Sequence, residues 1–255
     1  SEFDLTVALT VHAETVIAGP TMLSAEAAIA AAEQAGFRVE RLIGFDTPKP
    51  AAKAYFSRPE FSEWQQFEYE FRDQGQTRNQ LAETATGKWL AFLDGDDLFS
   101  ENWLLEALKE LQKAEQAGND RVIVHPELNW VFDAGQFVFT MPAQDDPNYT
   151  SYYFYTANYY DALCVAPRQV WLECRYADRA VKKGFAYEDW QWAIETMHEG
   201  WQHVVASDTI IFKRRRDSSQ TIEARTNAVW IRAQESLLID QIGQLGTLPA
   251  EANHG

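Results

Sequence analysis

From Leu5 to Val11 the chain is apolar except for two threonines, which predicts a strand buried on both faces. Gly19-Pro20 breaks the following segment. Ser24 then reads as the N-cap of an alanine-rich helix reaching Ala35, closed by Gly36. Val39 to Phe45 is a second apolar strand ending at Asp46. After Thr47-Pro48-Lys49-Pro50 a short helix fits Ala51 to Ser57, and Phe67 to Phe71 alternates aromatic with acidic residues as a third strand. Arg78 to Thr86 predicts a helix stopped by Gly87, Trp89 to Leu93 a fourth strand, and Ser100 to Ala117 a long helix with Gly118 at its end. Strands alternating with helices imply an α/β fold built on a mostly parallel, doubly wound sheet. Ligands of such sheets bind at the carboxyl ends of the strands, where Thr10, Asp46 and Asp94 fall.

The pattern changes after about residue 120. Val122 to Val124 reads as a strand, and Asn129 to Phe132 with Phe137 to Met141 as a hairpin turning at Ala134-Gly135. Asn148 to Tyr160 is dense in aromatics. Leu163 to Ala166 suits a strand, and Pro167 the first turn of a helix to about Cys174. Tyr187 to Glu199 predicts a helix, His203 to Ala206 and Ile210 to Lys213 two short strands, and Ile222 to Ile242 a final helix. We divide the chain into a first half (1–120), a second half of the same domain (121–222), and a C-terminal helix and tail (223–255). The start at Ser1 and the tail from Leu248 suggest one domain of a longer protein, with 223–255 as a linker.

Charge narrows the functional classes. The 255 residues carry a formal net charge of −16, which repels nucleic acid and anionic lipid surfaces. An anionic ligand would therefore need local cations, and Lys213-Arg214-Arg215-Arg216 is the dense basic run. No apolar stretch approaches the ~20 residues of a membrane-spanning helix. Two cysteines, Cys164 and Cys174, fit a reduced, cytoplasmic setting better than a disulfide framework. Peripheral attachment at the inner membrane through other domains or partners is compatible with this. Phosphate-loop, dinucleotide-glycine and serine-elbow motifs are missing from the sequence. His125, His198 and His203 lack metal-ligand spacing.

The most informative residues are Asp94-Gly95-Asp96-Asp97, which end the apolar run Trp89 to Leu93. Three carboxylates so close repel one another unless a cation intervenes. A divalent ion that also holds a diphosphate is the simplest such cation. The alternative is an acidic turn favouring the dipole of the following helix.

With these residues in view, the chain resembles the family 2 glycosyltransferases, which have the A-type nucleotide-sugar fold. Leu5 to Glu14 resembles the family's opening strand, departing from its usual Pro-x-Tyr-Asn-x-Glu at His12 and Ala13. Thr77 to Gln80 and Ala85 to Asp97 resemble its Arg-Asn helix, Gly-Lys turn and Asp-x-Asp strand end. Gly184 to Trp190 resembles the acidic motif carrying the catalytic base, and Phe212 to Ser218 the later basic strand and loop. The likeness covers roughly residues 5 to 220, strongest in the first half.

The resemblance implies an inverting, metal-dependent transfer of a sugar from a nucleotide-diphosphate donor to a hydroxyl of a saccharide or lipid-linked glycan. Asp96 would ligate Mn²⁺ or Mg²⁺, with Asp94 facing the ribose or the metal's water shell. Asp46 would accept hydrogen bonds from the base, although the family's Asp-Asp-x-Ser reads Asp46-Thr47-Pro48 here. Thr10 would contact base or ribose, and Arg78 would order the nucleotide pocket. A strand residue and a surface ion pair are the respective alternatives. Asp189, with Glu188 beside it, would be the base, acting through position at an ordinary carboxylate pKa. Two acids at a helix N-terminus are the alternative. Strand alternation sends Lys213 and Arg215 one way and Arg214 and Arg216 the other, so one pair, taken as Lys213 and Arg215, would face the diphosphate. Tyr149 to Tyr160, Trp190 and Trp192 are candidates for an acceptor groove. Two rival functions are a nucleotidyltransferase, which would need a basic loop after the first strand, and a non-catalytic sugar-binding domain.

Overall fold

The computed structural model describes residues 2–216, 226–227 and 229–248. The first half follows the predicted alternation. β1 (Leu5–Val11) lies between β2 (Val39–Asp46) and β4 (Trp89–Asp94), with β3 (Gln65–Tyr69) outside β2, and all four are parallel. β1 and β4 are buried at every position, as strands covered by helices on both faces must be. Gly87 lets the chain enter β4 tightly against β1, since a Cβ there would meet the Thr6 amide nitrogen at 2.6 Å.

Helix starts differ from expectation. α1 runs Ala18–Gln34, because Pro20 sits within its first turn, where no intrahelical donor is needed. Ser24 is therefore inside the helix, bonding Thr21 and Phe99 instead of capping. After α2 (Pro50–Phe56), α3 spans Gln74–Thr84 and begins four residues before Arg78, with Asp73 as its cap. That start puts Gln74 and Arg78 one turn apart on the same face. Ser100 tethers Ile210 on the neighbouring strand, while α4 (Trp103–Gln116) starts at Asn102.

The sheet continues through antiparallel β8 (Val165–Pro167) to β6 (Val122–Asp133) and β9 (Gln202–Arg215), the last two parallel to each other. β5 (Leu98–Phe99) pairs with the far side of β9, and β7 (Phe137–Thr140) pairs with the outer half of β6. The two short strands expected from His203 to Lys213 are thus one strand of 14 residues. α5 (Gln169–Glu173) packs beside α3, with Trp171 against Phe92 of β4, and α6 (Glu188–His198) stacks its Trp192 on Trp171. The predicted final helix falls partly outside the described residues. Its described portion from Val229 onward is extended, with short 3-10 turns at Glu235–Leu237 and Ile242–Gln244. Trp230 there bridges to Phe185 and packs edge-on against Trp190, so a continuous helix would lose this pairing. No helix among the described residues is long and apolar enough to cross a membrane.

Candidate active site

β1, β2 and β4 end on a cleft of about 1030 Å³ whose other wall comes from β6, β7, β9 and the head of α6. Asp94, the last residue of β4, is its most heavily bonded group. Its Oδ1 accepts from Thr10 Oγ1 at 3.1 Å, Gln74 Nε2 at 2.7 Å and Arg78 Nη2 at 2.7 Å. Its Oδ2 accepts from Lys213 Nζ at 2.9 Å. Burial would raise the Asp94 pKa, but Lys213 and Arg78 outweigh it and hold the carboxyl well below the usual range. Lys213 also lies 2.6 Å from Asp97 Oδ2 and 3.6 Å from Asp161 Oδ1. Burial opposes its charge, and Asp161, Asp94 and Asp97 together keep it ionised.

Asp96 is placed differently. Its Oδ2 is 2.7 Å from Arg216, which also bonds Glu14 at 2.9 Å. Its Oδ1 takes no protein donor among the described residues. Of the two expected cation ligands, Asp94 therefore has both oxygens engaged by protein donors, whereas Asp96 keeps one open to the cleft. No group of three or more acidic, histidine or cysteine side chains suited to a metal occurs among the described residues. The arrangement fits a cation held by Asp96 and by phosphate oxygens, and does not fit an all-protein cage.

Asp46 closes the far end of the cleft. Its oxygens accept from the Arg72 and Asp73 amides, both at 2.8 Å, and from Thr47 Oγ1 at 3.1 Å. Thr47 and Arg72, on either side of this carboxylate, have φ of +48° and +52°, in the left-handed region that ordinary residues seldom occupy. Thr10 and Asp94 stand at one end of this wall and Asp46 at the other, bordering one continuous cleft.

The acidic motif opens α6. Tyr187 has φ +61°, turning the chain so that Glu188 and Asp189 head the helix at the cleft. Glu188 lies 3.6 Å from Arg78, so one buried guanidinium joins the acid motif to Asp94. Asp189 departs from the expected ordinary acidity. Burial, then the charges of Glu188 and Asp161, push its pKa up to about 7. The expectation failed because it treated the residue as solvated.

Several residues join the site without a sequence signal: Gln74, Asp161, Glu14 and Arg216. Glu14 and Arg216 are 202 positions apart, and nothing local links them. Gln74 was recoverable only by starting α3 a turn earlier. The basic run also divides differently from simple alternation. Lys213 and Arg216 both reach the acidic corner, while Arg214 bonds the Asp96 carbonyl and Asp133. Arg215 lines the cleft without an ion pair or hydrogen bond to a described side chain. The expected acceptor aromatics are elsewhere. Phe154, Tyr160, Trp190 and Trp192 are buried in the core, and the aromatics bordering the cleft are Phe139 and Tyr187. His125 and His203 bond each other at 2.7 Å in the interior, where burial keeps both neutral. Cys164 and Cys174 are both buried and free.

Comparison with known proteins agrees with this geometry. The profile of Glycosyl transferase family 2 matches residues 51–161. The amylovoran biosynthesis glycosyltransferase AmsB of Erwinia amylovora is 25% identical over 137 residues, 52% of this chain and 44% of AmsB. The S. aureus TarS 1–349 structure in complex with UDP-GlcNAc matches with TM-score 0.60 at 13% identity, covering 86% of this chain and 60% of that one. A Pyrobaculum calidifontis mannosyltransferase in complex with GDP-Man and Mn²⁺ matches with TM-score 0.58 at 12% identity, covering 86% and 59%. At such identities the structural likeness establishes the fold. The chain spans less than half the length of AmsB.

Proposed function

We propose that this chain, whose residues 51–161 match Glycosyl transferase family 2 and whose fold is A-type, is a member of that family and transfers a sugar from a nucleotide-diphosphate donor to an acceptor hydroxyl with inversion. The observation that carries the proposal is the placement of Asp189, a half-buried carboxyl at the head of α6, on the same cleft as the Asp94–Arg78–Lys213 cluster, where its pKa is pushed up to about 7. A base poised near neutrality balances being ionised against having proton affinity. The UDP-GlcNAc and GDP-Man complexes of the structural neighbours support a nucleotide-sugar donor.

In this reading the nucleoside lies along the ends of β1 and β2, between Asp46 and Thr10. Asp94 orients the ribose through an oxygen already fixed by Arg78 and Gln74. A divalent cation, when bound, supplies charge neutralisation to the leaving diphosphate, and Asp96 is the residue that would hold it. The Mn²⁺ in the mannosyltransferase complex supports this. Asp189 takes the acceptor's hydroxyl proton as that oxygen forms its bond to the anomeric carbon. The bond from that carbon to the diphosphate oxygen breaks on the opposite face, and the nucleoside diphosphate leaves with the electron pair. Asp189 then returns its proton to solvent. Arg78 keeps Glu188 and Asp94 in register, so donor and base keep a fixed spacing.

Neither rival function gains an observation. The loop between β1 and α1 carries no Lys or Arg, so it lacks the phosphate cradle a nucleotidyltransferase would use. The test is Asp189→Asn. Transfer should fall at least ~100-fold while nucleotide affinity is retained; full transfer by this variant would remove Asp189 from the chemistry.

A further inference from the structure

The outer half of β6 pairs with β7 on one side and β9 on the other, and one face of this hairpin borders the cleft. Strand register puts Asn129 opposite Phe139 and Val131 opposite Phe137 on β7, and Val131 opposite Lys213 on β9. These side chains share a face, since directly opposed residues point the same way. Phe137 and Phe139 stack at 6.1 Å between centroids and are 49% and 38% exposed, unusually open for phenylalanines. Asn129, below them, is 2% exposed, lines the cleft, and has a carbonyl oxygen without a hydrogen-bond partner. Buried polar atoms are seldom left unpaired without a functional reason.

The fourth component is Arg215. A Cβ on Gly135 at the hairpin turn would lie 3.5 Å from Arg215 Cβ and 3.4 Å from the Phe137 ring, so the guanidinium stem stands beside the aromatic floor. Its neighbours Lys213, Arg214 and Arg216 all hold carboxylates, whereas Arg215 holds none among the described residues. In a chain of net charge −16, an arginine on a cleft with no carboxylate partner among the described residues is a cation available to an anionic ligand.

We infer that this hairpin face is the acceptor subsite and that it takes a saccharide carrying an anionic group, a carboxylate or a phosphate. The sugar ring packs on Phe139 and Phe137, a hydroxyl donates to Asn129 Oδ1, and the anion pairs with Arg215. The inference rests on the donor reading above and deepens it by naming the acceptor's chemistry. Its location agrees with that reading, because Asp189 borders the same cleft.

The test is a nuclear magnetic resonance titration of the full chain, labelled at the Asn129 amide and the Phe137 and Phe139 rings. UDP or GDP with Mn²⁺ fills the donor side. The probes are methyl glucuronide, methyl glucoside 6-phosphate and neutral methyl glucoside. We expect at least one anionic probe to shift the Asn129 and Phe139 signals and to bind about tenfold tighter than the neutral one. Arg215→Gln should erase that difference, and Phe139→Ala should weaken anionic and neutral probes alike. A response to one anionic probe alone supports the inference and identifies the source of the charge. Equal binding of charged and neutral probes, an unaltered preference in Arg215→Gln, or shifts confined to other residues would overturn it. Failure of both nucleotides to bind, with the probe shifts intact, would count against the donor reading and leave this subsite standing.

Discussion

The two walls of the cleft are built on opposite principles. On the wall formed by β1, β2, β4 and α3, charges are satisfied in advance: Asp94 has four donors, Asp46 has three, and Arg78 is almost wholly buried between carboxylates. On the hairpin wall, two half-exposed phenylalanines meet only each other as rings, and one amide oxygen and one guanidinium have no polar partner among the described residues. A rigid, prepaid network suits a ligand part shared by many donors, the nucleoside diphosphate. An open wall suits a variable partner that brings its own complement. The protein's own cations therefore stabilise Asp94, whereas burial outweighs them at Asp96 and Asp97 and raises both pKa values.

The contrast can be broken by substitution on each wall. Arg78→Ala should have the largest effect, because it leaves buried carboxylates against too little positive charge. We expect a loss of about 3–5 kcal/mol by urea denaturation, together with weakened nucleotide binding. Arg215→Ala, on the open wall, should stay within about 0.5 kcal/mol of wild type. Similar losses for both would erase the distinction between the walls.

Asp189 sharpens the comparison through pH. Its folded pKa of about 7 lies above the ordinary carboxylate value, so the folded state holds a proton that the unfolded state has already released. The resulting stability loss begins near pH ~4 and is complete above about pH 7. Asp189→Asn should therefore stabilise the fold at pH 8, on the order of 2 kcal/mol, and much less at pH 5. Wild-type transfer should rise about tenfold per pH unit up to about pH 7 and then level off. A pH-independent gain in melting temperature would contradict the burial of this charge.

A smaller effect than at Arg78 or Asp189 is expected at Arg216. Its side chain is 42% exposed, so Arg216→Gln should cost below about 1 kcal/mol. Because it occupies one oxygen of Asp96, the same change should tighten Mn²⁺ binding severalfold, read by electron paramagnetic resonance. Unchanged or weaker affinity would show that the arginine does not compete for that carboxylate.

How much of this was legible in the sequence follows from the range of each interaction. Thr10, Asp46 and Asp94 could be placed because each ends an apolar run, and a parallel sheet aligns such ends. The acidic motif was visible as a pair heading a helix. What local pattern could not convey was distant contact and burial. Gln74 depends on where α3 begins, Asp161 on the segment before β8, and Arg216 on the approach of the end of β9 to Glu14 in the loop after β1. The same limit misplaced the acceptor aromatics: a run of tyrosines after Asn148 looks like a sugar groove, yet the core absorbs part of it. Phe139 carries no local signal, because its exposure comes from β7 being an edge strand paired only with β6.

The central claim is that Asp96 and the cation it holds receive a nucleoside diphosphate. Its most direct measurement is calorimetric titration of UDP and GDP, with and without Mn²⁺, into the wild-type chain and Asp96→Ala. The account predicts that at least one nucleotide binds, that Mn²⁺ strengthens this binding at least tenfold, and that the enhancement vanishes in the variant. Nucleotide binding indifferent to both Mn²⁺ and the substitution, or no binding of either nucleotide, would contradict it.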